Sequence, residues 1–541
     1  MQKAKEEKCD EYKSIWLMAI ILIVAFANYI VGYNWGLTST FQPDESKLVE
    51  PLVSMVESKT LIHSAWAYPA QVSTKVLAIV LTWVSKFVIL QHLQYYFANR
   101  IMYAFIGTGC VYITWRIIRK VRDERFALLM ISLMAICPIL AQYCKEVSGD
   151  VPSLFFSLLV LLFAQKYLVG DKKSLVFMAF FAACASLEKW HGAWTCFFIA
   201  MVVFANNRKS IISFVEHGSI ALASFIGGIV LIAPNILTDF RELLSGVRFV
   251  YTYDGTKQNP LISAYPVFFF KHLGIVSVIV ALIGICRALF YDKESSESDY
   301  KIKWAVYVFS PACLFAFWLI MTRTAFERWG LGVYWGILFF LTEGILFLID
   351  NVRKPLKILG FVGLFLIGFC FCSDSLLVDL IAINSQKDGR IVGEQLMDVV
   401  GANIQNTISD FYTTLAPGGL RNGGESIPIE FEEYGINFAT EKDGIPFMRV
   451  PGIKYVVIGG FYDNDGEGYR VVKQYGKEIA CVDSSKRELD VFWRQNGSGE
   501  WSMFEGDTIR KNINDIKTVL TADVIGPSFT VYDVSNIEYL K

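Results

Sequence analysis

Residues 14–33 read SIWLMAIILIVAFANYIVGY, twenty residues without a charge. At about 1.5 Å of rise per residue, a helix of this length reaches across the roughly 30 Å hydrocarbon core of a bilayer. No small-residue cleavage site follows, so the run reads as a retained first membrane helix. The rest of the chain repeats the pattern: 54% of its 541 residues are hydrophobic and 15% aromatic, more than a soluble core uses. Apolar runs at 99–118, 125–143, 151–168, 173–187, 192–206, 210–233, 265–289, 303–321, 330–349 and 357–376 bring the expectation to about eleven spans. The segment 71–96 is apolar too, but Lys75 and Lys86 interrupt it, and it reads as a juxtamembrane helix at the interface rather than a span.

Charge divides the chain in two. Residues 380–541 carry 16 basic against 24 acidic side chains, a net of −8, which leaves the first 379 at +7 for the whole chain's −1. A basic membrane domain, 1–379, is therefore expected to precede an acidic soluble α/β domain, 380–541. In the latter, GEQLMDVVGANIQN (393–406) has helical periodicity, while KYVVIGGF (454–461) and SFTVYDV (528–534) are strand-like. Neither half carries the dense basic stripe of a nucleic-acid surface. The turn DNDGEG (463–468) lacks the ligand set of a calcium loop. Of the outward cysteines, Cys144 and Cys481, an unpaired state is the simpler expectation.

Short cytoplasmic loops are rich in Lys and Arg. With the N-terminus inside, the loops RIIRKVRDER, GDKKS, NNRKS, RALFYDKESSESDYKIK and DNVRKPLK all fall on one side. The opposite side receives Asp44 and Glu45 in PDES, the connection YCKEVSGD (143–150), EKWHGAW (188–194), the loop 234–264, TRTAFERWG (322–330) and the tail. Asp44, Glu45 and Asp150 could merely cap helices, since acids complement the first turn. They share their surface, however, with Lys145, Lys189, His191, Arg323 and Arg328. Carboxylates and cations at an apolar interface suit a reaction in which an anionic lipid headgroup leaves while a hydroxyl attacks.

In this order, over roughly residues 14–350, these motifs resemble the C superfamily of glycosyltransferases that use polyprenyl-phosphate sugars. The nearest group is the dolichyl-phosphate-mannose protein mannosyltransferases with the bacterial aminoarabinose-to-lipid A transferase. The acid pair in PDES is similar to that opening the family's first outward loop. Tyr68, Pro69 and Lys75 in AYPAQVSTK resemble its Tyr-Pro segment, Arg100 the Arg starting its second span, and Lys145 to Asp150 the basic-then-Asp opening of its fourth. Lys189 and Arg328 correspond to its later Lys and Arg. The chain departs from the pattern in lacking a Lys-Pro-Pro run after Lys75, in having Lys145 where Arg is frequent, and in lacking a large lumenal loop domain.

The resemblance implies a multi-pass enzyme of a cell membrane, bacterial in type. Its tail and active site would be extracytoplasmic. It would transfer a sugar, hexosyl or pentosyl, from a polyprenyl-phosphate carrier to a hydroxyl on a glycan, lipid or protein, inverting the anomeric centre. A sugar on a lipid phosphate already has a good leaving group, so the site needs positive charge for the phosphate and a base for the hydroxyl. Lys189, Arg328, Lys75 and His191 are the candidates for the first. Asp44 is the preferred base, with Asp150 and Glu45 sharing the proton or placing the acceptor, and Tyr68 completes the substrate-binding set. No His-x-x-His or His-x-x-x-His pair is present, so a divalent metal is not favoured. The alternative is a transporter or receptor with an extracytoplasmic ligand-binding domain. Transporters place ionisable groups near the midplane in two similar halves, a pattern this sequence does not show.

Overall fold

A computed structural model describes the backbone of residues 2–35, 43–63, 66, 69–252, 261–290, 296–320, 327–350, 353–389, 392, 407–409, 439–449, 452–459, 467–484, 489, 504–526 and 528–539. At 2–11, 43–44, 249–272, 318–320, 327, 407–409, 459 and 539 it describes no side chains. The chain divides into two compact units. The first comprises Met1–Tyr33, Asp44–Leu376 and Trp501–Asn512; the second comprises Asn34–Pro43, Leu377–Glu500 and Ile513–Lys541. The short segment 501–512, expected in the soluble domain, thus falls in the first unit.

The first unit is helical: α1 (Gln2–Ile30), α2 (Pro43–Ser58), α3 (Gln71–Val84), α4 (His92–Ile118), α5 (Glu124–Ala135), α6 (Pro138–Cys144), α7 (Asp150–Leu168), α8 (Lys173–Glu188), α9 (Trp194–Asn207), α10 (Ile211–Ile232), α11 (Phe240–Thr252), α12 (Leu261–Phe290), α13 (Glu297–Ile320), α14 (Leu331–Ile349) and α15 (Lys354–Ile383), of which the residues from Leu377 belong to the second unit. Among the described residues, seven helices are long and apolar enough to cross a membrane, and the bent pair α5–α6 would make an eighth. These are α1, α4, α7, α10, the Leu273–Phe290 part of α12, α14 and α15. The other three expected spans are helices as well. At 16 and 14 residues, α8 and α9 are shorter than the ~20 a straight span needs. Helix α13 opens on Glu297, Asp299, Lys301 and Lys303.

Large apolar side chains point outward where no protein covers them, among them Ile20 and Ile23 on α1, Leu222 and Ile226 on α10, and Phe361 and Phe365 on α15. Such a belt requires lipid. Helix α3 has 14 residues. Its polar residues Gln71, Ser73, Thr74 and Lys75 are buried, while Val76, Ile79, Val80 and Trp83 are exposed. That inverted pattern belongs to a helix with its outer face in an apolar phase.

Helices α12 and α14 approach until their backbones touch: a Cβ on Gly284 would lie 1.9 Å from Phe340 O, and one on Gly344 2.0 Å from Val280 O. The acid inside α14, Glu343, is fully buried and held by Arg122 at 2.9 Å and Arg287 at 2.6 Å. Arg122 also donates to the Tyr307 hydroxyl at 2.5 Å. One carboxylate thereby ties the 119–123 turn to α12, α13 and α14.

The second unit holds two sheets. In the first, in order β1-β4-β6-β5, β1 (Thr407–Ser409) runs parallel to β4 (Tyr455–Gly459), while β6 (Phe529–Asp533) is antiparallel to β4 and to β5 (Lys477–Val482). The other orders β2 (Ala439–Lys442), β3 (Ile445–Met448) and β7 (Glu538–Tyr539). Helix α16 (Glu467–Tyr475) completes the elements of this unit, together with the part of α17 (Glu505–Thr521) that follows Asn512. Strands β4 and β6 lie within the two stretches read as strands, whereas the helix expected at 393–406 and the first four residues of the turn expected at 463–468 lie outside the described residues; the last two, Glu467 and Gly468, open α16. Cys144 is buried and Cys481 exposed, and neither is in a disulfide.

Candidate active site

Helix α7 begins at Asp150, and the residue before it, Gly149, has φ +74°, a left-handed conformation that favours glycine. Space demands glycine there too, since a Cβ would meet Glu188 O at 2.9 Å. The Gly149 amide donates to the Tyr103 hydroxyl at 3.0 Å. This turn sets the start of α7 against the C-terminal end of α8, so that Asp150 meets the residue following Glu188. Lys189 Nζ lies 2.7 Å from Asp150 Oδ2 and donates also to Ser148 O at 3.0 Å. Arg328, in the short helix Glu327–Gly330, brings Nε within 3.7 Å of the same carboxylate oxygen.

These groups line a small, partly open cavity together with Ser153, Ser157, His191, Trp194, Phe317 and Trp329. His191 is held by its ring faces, stacked on Trp329 at 3.8 Å and set edge-on to Phe317 at 6.2 Å. Burial, with the charges of Lys189 and Arg328, pushes its pKa well below the usual 6.5, so the imidazole is neutral. The cavity thus presents two cations, a carboxylate bridging them, a neutral imidazole and aromatic walls.

The remaining expected residues are placed elsewhere. Glu45 was expected at the substrate, but it is fully buried and its oxygens are engaged by protein. Arg100 donates from Nε to Oε1 at 2.9 Å and from Nη2 to Oε2 at 2.5 Å, and the Val147 amide donates to Oε1 at 3.0 Å. The pair staples the start of α2 to α4 and to the connection that ends in Asp150. Lys75 lies on the buried face of α3, donating to Ile232 O at 2.7 Å, and does not line the cavity. Burial lowers its pKa to about 8. Asp44 is the second residue of α2, and its side chain is outside the description; Tyr68 lies outside the described residues altogether.

The sequence reading missed Glu188 and Ser73. The Ser73 amide and hydroxyl donate to Glu188 Oε1 and Oε2 at 2.5 and 2.6 Å, joining α3 to the end of α8 beside Lys189. Burial raises the Glu188 pKa to about 7 against these hydrogen bonds, which lower it. The cavity hydroxyls of Ser153 and Ser157 had a signal, for they follow Asp150 by three and seven residues and so share its helix face. Among the described residues, no group of three His, Cys, Asp or Glu side chains stands close enough to hold a metal ion.

No protein-family model and no curated protein sequence matches the chain. Among solved structures it is similar to the Archaeoglobus fulgidus oligosaccharyltransferase AglB in complex with an inhibitory peptide and a dolichol-phosphate. That match has 12% identity and a TM-score of 0.48, covering 87% of this chain and 73% of that one. It is similar also to ArnT from Cupriavidus metallidurans bound to undecaprenyl phosphate, with 12% identity and a TM-score of 0.47, covering 75% of each chain. Similarities this slight leave function to be argued from the chain's own residues.

Proposed function

We propose that this multi-pass membrane protein is a glycosyltransferase of the C-superfamily type. It moves a hexosyl or pentosyl group from a polyprenyl-phosphate carrier to a hydroxyl of a glycan, lipid or protein, on the extracytoplasmic face. The observation that carries the reading is the pairing of Lys189 and Arg328 on one carboxylate oxygen of Asp150 in a small, partly open cavity. Two cations converging on one oxyanion form a mould for a phosphate, and this mould lies among the connections that the charge pattern assigns to the outward face. The motif resemblance between residues 14 and 350 points to the same chemistry.

In the reaction the acceptor oxygen bonds to the anomeric carbon as the carbon–oxygen bond to phosphate breaks. The electron pair leaves with the phosphate, whose added charge Lys189 and Arg328 neutralise. The acceptor's proton goes to a carboxylate, for which Asp44 is the candidate. The Glu45 contact to Val147 N brings the start of α2 to the connection ending in Asp150, which supports a base drawn from α2. Displacement in line, with a single base and no covalent intermediate, inverts the anomeric centre.

The test is transfer by the purified protein in lipid nanodiscs, supplied with undecaprenyl-phosphate-linked mannose, glucose, galactose or arabinose and membrane extract as acceptor. Sugar should leave at least one carrier in step with release of undecaprenyl phosphate. Protein-independent release only, from all four, counts against the reading.

A further inference from the structure

His191 lines the cavity 8% exposed, and among the described residues neither of its ring nitrogens has a hydrogen-bond partner. Buried polar groups are paired as a rule, and an exception needs a reason. The ring is well fixed all the same. Trp329 covers one face and Phe317 meets the ring edge-on. The backbone turn beneath it is closed by Gly192 N donating to Lys189 O and by Thr195 Oγ1 donating to Gly192 O, both at 2.7 Å. Trp190 anchors the turn from the other side by donating to Trp66 O at 2.7 Å. Apolar contacts thus orient an imidazole whose hydrogen-bonding edge is left for a ligand. Being neutral, that edge offers one donor and one acceptor, the complement of a sugar hydroxyl pair and a poor match for a second phosphate.

Position says which part of a ligand it meets. His191 is two residues from Lys189 and stacks on the neighbour of Arg328, so it stands on the wall beside the phosphate mould. In a polyprenyl-phosphate sugar, the atoms bonded next to the phosphate are those of the sugar ring. We propose that His191 is the residue that reads the donor sugar, accepting a hydrogen bond from one ring hydroxyl and donating to another oxygen of the same sugar. The substrate class it selects is a sugar carrying a free hydroxyl near its anomeric carbon. This rests on the transferase reading above.

His191→Phe separates the inference from a packing role, because phenylalanine keeps a ring on Trp329 but has no nitrogen. The probes are undecaprenyl phosphate alone and whichever of the four sugar-loaded carriers the wild type uses best. The variant should bind undecaprenyl phosphate within about twofold of wild type, yet lose about tenfold or more in kcat/KM for the loaded carrier. A 2-deoxy version of that carrier should be poorer for the wild type and should narrow its gap to the variant. A His191→Phe protein that uses the loaded carrier as well as wild type overturns the inference, as does equal weakening of loaded and bare carrier, which would place His191 on the phosphate. Release from no carrier by the wild type removes the transferase reading and this inference with it, a result distinct from either.

Discussion

Asp150 Oδ2 stands 2.7 Å from Lys189 Nζ and 3.7 Å from Arg328 Nε, so one carboxylate oxygen faces two cations contributed by different connections. The carboxylate side chain is 3% exposed, which keeps solvent from screening the arrangement. A phosphate in the mould competes with Asp150 for the same two charges. Asp150→Asn removes the competing anion and should tighten undecaprenyl phosphate binding by severalfold to about tenfold. Titration of the nanodisc-embedded protein with the lipid measures this. Weaker binding by the variant would mean that Asp150 serves chiefly to hold Lys189 in place.

Asp44→Asn tests the base. Asparagine caps a helix as well as aspartate does, so folding should be unchanged. It cannot take a proton, so single-turnover transfer should fall by roughly 10²–10⁴-fold. Wild-type turnover at matched thermal stability would reduce Asp44 to a cap and leave Asp150 as the base to test next.

Glu45 and Arg100 predict a loss of stability rather than of chemistry. Both are buried, at 0% and 1% exposure, and removing one partner leaves the other as an unpaired buried charge. Glu45→Ala should cost about 3–5 kcal/mol, read as earlier thermal unfolding and low folded yield. The double variant Glu45→Ala with Arg100→Ala should recover part of that loss. A double variant exactly as unstable as the sum of the singles would show that the pair is not coupled.

Glu188 gives the molecule a pH dependence. Its folded pKa is raised to about 7, from 4.5, chiefly by burial, so the folded state holds the proton more tightly than the unfolded chain. The corresponding stability is fully present below pH 4.5 and is lost as pH rises through about 7. Glu188→Gln abolishes the titration and keeps hydrogen-bonding capacity toward Ser73. The variant should therefore gain on wild type in thermal melts as pH is raised from 5 to 8, and a pH-independent difference would contradict the assignment.

The membrane body was legible because an apolar run long enough to cross a bilayer is a nearly sufficient signal. The count of spans was less so, since α8 and α9 are apolar yet end after 16 and 14 residues, where Glu188 and the 190–193 turn, and then Asn207, stop them. Asp150, Lys189, His191 and Arg328 could be picked out because each interrupts an apolar stretch at a connection, and the fold gathers these four on one cavity. Glu45 looked like its neighbour Asp44 in sequence. Its commitment to Arg100 depends on packing between residues 55 positions apart, which no local pattern records. Trp329 and Phe317 carried no distinct signal, because aromatic residues at a membrane surface look alike whether they face lipid or a ligand.

The account stands on the phosphate mould, and the binding of undecaprenyl phosphate, with undecaprenol as the uncharged control, tests it most directly. Wild-type protein in nanodiscs should prefer the phosphate clearly, and Lys189→Ala and Arg328→Ala should each weaken that binding by about tenfold or more while leaving undecaprenol unaffected. Equal binding of the two lipids by the wild type, or phosphate affinity untouched in both folded variants, would contradict it.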